Sequence, residues 1–144
     1  QARDEGVTVI PKPAVIFPDA KAWAVAYMNA TLLARPIGDT YADAVTVAGR
    51  APDVMPTRLV TIRDDGGTRA LVTKSASLAV NVWAETEQVC SQLAALVVAI
   101  LEASPGQGAV VAHLSTSGPV EVVESSTKPH RFASVDLSLR GTDL

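Results

Sequence analysis

The sequence predicts an α+β fold: a mostly antiparallel sheet with two helices packed on one face, preceded by an extended N-terminal arm. Apolar residues recur at helical spacing in two segments and alternate at period two in the stretches between and after them. The order is helix, strands, helix, strands, and elements grouped by kind point to α+β rather than to a parallel β-α-β sheet. The 144 residues suit one domain, spanning 18–144 behind an arm at 1–17.

In the arm, Val7, Val9, Ile10, Val15 and Ile16 sit among Pro11 and Pro13. Proline removes a backbone donor and holds the chain extended. Pro18-Asp19 then opens a helix, the acid lying at the positive end of the helix dipole. Trp23, Ala26/Tyr27, Ala30 and Leu33/Ala34 form its expected buried stripe. Arg35-Pro36 ends it, because the residue before proline avoids the α region.

Val45 and Val47 alternate with Thr46 and Ala48 in a short strand, and Leu59-Val60-Thr61-Ile62 reads as a second. Asp64-Asp65-Gly66-Gly67 carries turn chemistry. The return strand runs through Ala70-Leu71-Val72 and again through Leu78 to Trp83, with Lys74 to Ser77 between them as a bulge, a kink or an exposed stretch of one long strand. Thr86 is the natural N-cap of a second helix, with Glu85 and Glu87 at its positive end. That helix is apolar nearly all round, so it needs cover from the sheet on one side and from the first helix or another subunit on the other. Pro105-Gly106 stops it.

In the last third Val110, Ala112 and Leu114 are expected on one face, followed by a Gly118-Pro119 turn and by Val120 and Val122. Arg131 to Arg140 is the clearest strand, with Ala133, Val135, Leu137 and Leu139 inward and Ser134, Asp136 and Ser138 outward.

Composition narrows the function. The net charge is −3, from 12 basic and 15 acidic residues, and phosphate binding needs a clustered cationic excess instead. One cysteine, Cys90, excludes a disulfide framework, and only two histidines, His113 and His130, are available to a metal or a His-centred enzyme. The longest apolar run, Leu93 to Leu101, falls far short of the ~20 residues that span a bilayer. The first residues do not read as a signal peptide. Ala (23) and Val (20) dominate the apolar residues, while aromatics number six. Such a core buries little area per residue, so further burial against a partner is expected.

No catalytic, cofactor or metal site emerges. No G-x-S-x-G elbow occurs. His113 is expected outward on its strand, His130 in a solvated loop, and Cys90 as a buried small hydrophobe. An EF-hand reading of Asp64-Asp65-Gly66-Gly67 fails because the closing position is Ser75. Gly106-x-Gly108 follows a helix and precedes a strand, the reverse of a dinucleotide fingerprint.

This layout, with Leu78 to Ala84 leading through Val82-Trp83-Ala84-Glu85-Thr86 into an Ala/Leu-rich helix, resembles the tail terminator proteins of long-tailed bacteriophages over about residues 18–140. The flavour is that of phages infecting high-GC actinobacteria, with eight Arg against four Lys. The resemblance implies a non-enzymatic virion protein, assembled in the host cytoplasm. It implies a hexameric ring that caps the tail tube at its head-proximal end, halts polymerisation and meets the head-tail connector. DNA would pass through the lumen without specific binding, which an acidic protein suits.

The expected subunit interface combines the over-apolar helix (Val89, Leu93, Ala95, Val97, Ala99, Ile100) with the arm (Val9, Ile10, Val15, Ile16). Asp64 and Asp65, at an expected hairpin tip, are the candidates for a surface facing the tube or lumen. Two rivals stand beside this reading. One is another connector or tail-completion ring. The other is a small-molecule-binding or enzymatic α+β dimer, whose best residues are His113, Asp136 and Arg140, all expected on the outward face.

Overall fold

The structure is a computed structural model that describes residues 14–34, 42–123 and 128–143. Its elements are β1 (Val15–Ile16), α1 (Ala20–Leu33), β2 (Val45–Ala48), β3 (Arg58–Asp64), β4 (Thr73–Trp83), α2 (Glu87–Glu102), β5 (Val110–Glu121), β6 (His130–Arg140) and β7 (Thr142–Asp143). Five strands form one sheet in the order β2-β3-β4-β6-β5. β2 runs parallel to β3, and every other neighbour is antiparallel. β1 and β7 make a separate antiparallel pair.

Both helices cover the same face, as the sequence predicts. α1 lies over the β2–β3 half and α2 over the β5–β6 half, and the helices touch each other. Val60, Ile62, Leu78, Val80, Val82, Val135, Leu137 and Leu139 point toward them and share one core with Met28, Leu93, Val97 and Leu101. The apolar excess of α2 is thus taken up inside the subunit, by the sheet and α1.

The helix starts follow from local chemistry. The Asp19 carboxylate accepts from the Ala22 N–H at 3.0 Å, and Thr86 Oγ1 accepts from the Val89 N–H at 3.2 Å. Each satisfies one of the donors that a first turn leaves open. Glu87 adds an acid to the first turn of α2. Cys90 is buried and its thiol donates to the Val82 carbonyl at 3.3 Å, tying α2 to β4. Burial pushes its pKa up, so the thiol stays protonated and serves as packing.

Four expectations need correction. The buried stripe of α1 is Ala20, Ala24, Met28 and Leu32; Trp23 and Tyr27 stack on its flank, and Ala26, Ala30, Leu33 and Ala34 are exposed. Alanine scattered all round the helix leaves period alone unable to choose a face. The β3–β4 hairpin also turns later than Asp64-Asp65-Gly66-Gly67. Pairing continues through Asp65 N–H to Ser77 O, Ser75 N–H to Thr68 O and Ala70 N–H to Thr73 O, so the tip is Leu71-Val72. β4 is accordingly one strand through Lys74 to Ser77.

The third correction is β5. Register shifts after Val110 and after His113 put Val111 and Leu114 out in solvent and reverse the alternation, so Ala112 opposes Ser138 while His113 opposes Leu137. His113 therefore faces the helix side. Gly118-Pro119 lies inside β5 at a further register shift rather than forming a turn. Last, His130 opens β6 and is buried, stacked on Trp83 at 4.3 Å with Nε2 2.7 Å from Asn81 Oδ1. Its partner comes from the neighbouring strand, at the register Trp83↔His130.

Candidate assembly surfaces

The titratable groups do not converge. Among the described residues no cluster of His, Cys, Asp and Glu is placed to hold a metal ion, and no helix is long and apolar enough to cross a membrane. His113 Nε2 lies 2.7 Å from Thr116 Oγ1 and 3.9 Å from Glu102, on the helix side of the sheet. Asp136 and Arg140 alternate on the opposite face, where Asp136 accepts from the Ser115 hydroxyl at 2.9 Å. The three residues of the small-molecule reading are therefore split between two faces.

Of the α2 residues expected at an interface, Leu93, Val97 and Ile100 belong to the subunit's own core and Val89 packs against it. Only Ala95 and Ala99 are exposed. In the arm, Val15 pairs with Asp143 and Ile16 with Thr142 of the same chain, and Ile16 stays exposed. Val9 and Ile10 lie outside the described residues.

Asp64 and Asp65 occupy the flank of the β3–β4 hairpin, not its tip. Asp64 accepts from the Gly66 N–H at 2.8 Å. The Asp65 carboxylate pairs with Arg63, Nε to Oδ1 at 2.6 Å, and that hydrogen bond holds its pKa below the usual carboxylate range.

The other end of the sheet is tied by Arg58. Its guanidinium meets Glu85 through two hydrogen bonds, 3.1 and 2.9 Å, and donates to the Asp43 carbonyl at 3.0 Å. The start of β3, the approach to α2 and the turn before β2 are thereby joined. The Arg58 hydrogen bond is the main reason that the Glu85 pKa falls to about 2. Because the folded value is depressed, the stabilisation is present above the ordinary value of 4.5 and is lost as pH falls from there toward 2. The pair is solvent-screened, so its contribution is under about 1 kcal/mol. We expect wild type to exceed Glu85→Gln in urea midpoint at pH 7, with the gap narrowing steadily as pH falls from 4.5 toward 2. A gap that does not change with pH would refute this assignment.

The surface that sequence reasoning missed is apolar. At the β4-start end, Leu71 is 72% exposed and Val72 51% exposed. Val72, Val111 and Arg140 line an open depression of about 590 Å³ there. At the β3-start end Leu33 is 89% exposed and lines a second depression with Asp43, Ala44 and Val45. Ala44 holds φ +53, a left-handed conformation rare for alanine.

No protein-family model and no curated protein sequence matches this chain. Among solved structures, it is similar to a chain of the virion of a native gene transfer agent (GTA) particle. That likeness has a TM-score of 0.56 at 15% identity and covers 85% of this chain and 98% of that one. At such identity what the two share is the fold.

Proposed function

We propose that this chain is a non-enzymatic structural protein of a phage-type virion: a ring subunit that caps the tail tube, stops its polymerisation and joins it to the head-tail connector. The observation that carries this reading is the fold shared with a chain of the gene transfer agent virion, which extends over nearly all of that chain. The layout from β4 through Val82-Trp83-Ala84-Glu85-Thr86 into α2, on which the resemblance to tail terminators rests, supports the finer assignment. A net charge of −3 suits a lumen through which DNA must slide without adsorbing.

The test is native mass by light scattering over a range of concentrations, with and without cognate tail tubes. Six copies, or a monomer that forms rings only on tubes, is the expected result. A dimer at every concentration, with no effect on tube length, would overturn the assignment.

Within this reading the outward face of α2 is a contact surface, presented by Ala95 and Ala99. Ala95→Asp and Ala99→Asp place a charge on that face without touching the core. We expect both to lose assembly by at least tenfold while lowering folding stability by only about 1 kcal/mol, the cost of Asp in place of Ala within α2. Unchanged oligomers in both variants would remove α2 from the interface.

A further inference from the structure

The two ends of the sheet that expose large apolar side chains are different and lie far apart. One carries Val72, Val111 and Arg140 around a depression of about 590 Å³. The other carries Leu33 beside the Asp43–Ala44 turn. Leu59 pairs with Trp83 at one end of β4 and Thr73 pairs with Arg140 at the other, so the length of β4 separates them. Eleven residues of strand span roughly 35 Å, too far for one copy to satisfy itself.

Their charges are complementary. Arg140 is exposed, and its guanidinium has no ion-pair partner among the described residues. Asp43 is exposed; its backbone carbonyl accepts from Arg58, and its carboxylate shares the field of that one guanidinium with Glu85, so this corner carries more acid than base. A symmetric dimer that pairs like patch with like leaves the other open, whereas contact between unlike patches, repeated in one direction from copy to copy, uses both. Such a contact closes as a ring or continues as a filament, depending on its rotation.

We propose that the occupant of the Val72–Arg140 depression is a second copy of this chain, which inserts its Leu33 corner and pairs Asp43 with Arg140. This rests on the ring-subunit reading and names the contact that builds the ring. Leu33 and Val72 exchange exposed apolar surface for burial, and the ion pair sets the register.

The experiment uses the full chain. Val72→Asp and Leu33→Asp should each be monomeric where wild type assembles, with unchanged urea midpoints because both side chains are exposed. Mixed in equal amounts, they should form dimers and nothing larger, since each supplies one intact patch. Arg140→Asp and Asp43→Arg should each weaken association at least tenfold, and the double variant should restore it. Wild-type rings with single variants that assemble equally well would overturn this contact and leave the ring reading standing. Variants that form normal rings but fail to bind tail tubes would assign the depression to the tube protein instead, which also overturns the proposal. Wild-type copies that stay monomeric with and without tubes would overturn both readings.

Discussion

A Leu78→Ala variant is expected to lose about 2–5 kcal/mol of folding stability. Leu78 is fully buried on the helix-facing side of β4, with Asp64 and Val135 as its cross-strand partners. Removing most of its side chain forfeits transfer free energy and leaves a cavity, because the sheet register on both sides prevents collapse. The surrounding core is rich in alanine and valine, whose short side chains cannot swing in to refill the space. Against a total of roughly 5–15 kcal/mol for an ordinary domain, this is a large fraction. Urea unfolding should show a strongly lowered midpoint with an unchanged slope, while Leu71→Ala at the exposed hairpin tip should stay within about 0.5 kcal/mol. Comparable losses in the two variants would mean that β4 is not the centre of the core.

Gly118→Ala is expected to destabilise by about 1–3 kcal/mol, although it adds one methyl at an exposed site. Gly118 holds φ +88, where an L side chain is strained. An added Cβ would also lie 2.7 Å from the Phe132 carbonyl oxygen of β6. That neighbour is backbone held in the central β4–β6 pairing at Asn81↔Phe132, so it cannot move aside cheaply. The strand must shift instead, which loosens the β5–β6 pairing around Ser117 and Val120. Hydrogen exchange should show faster amide exchange at this end of β5 than at Val110 to His113. A variant with wild-type midpoint and exchange would show that the register shift is soft.

The parts of the fold legible in the sequence were those decided within a few residues. Asp19 and Thr86 cap their helices through their own side chains, and the alternation of Ala133, Val135, Leu137 and Leu139 marks β6 without reference to any neighbour. The candidate surfaces were harder to read. Leu33 fits a helical stripe, and only the packing of Met28 and Leu32 shows that the stripe turns away from it. Leu71 and Val72 look like strand interior because they are apolar, yet the pairing of Ser75 and Ser77 places them at the tip. His130 looks solvated because its sequence neighbours are polar, and its stacking partner Trp83 is supplied by the neighbouring strand.

By itself the sequence determined the fold class, the two helix starts, the paired inner face of β6 and the inert burial of Cys90. These depend on side-chain hydrogen bonds to nearby backbone and on hydrophobic period, both of which act over one or two turns or a few strand positions. Only the tertiary structure decided which face of α1 is buried, where the β3–β4 hairpin turns, which way His113 points and which apolar residues remain outside. The hairpin tip and the direction of His113 depend on strand register, where a shift of one residue in the partner sends a side chain to the opposite face. The buried face of α1 depends on which of its residues the sheet and α2 cover, which alanine on every side leaves undecided in the sequence.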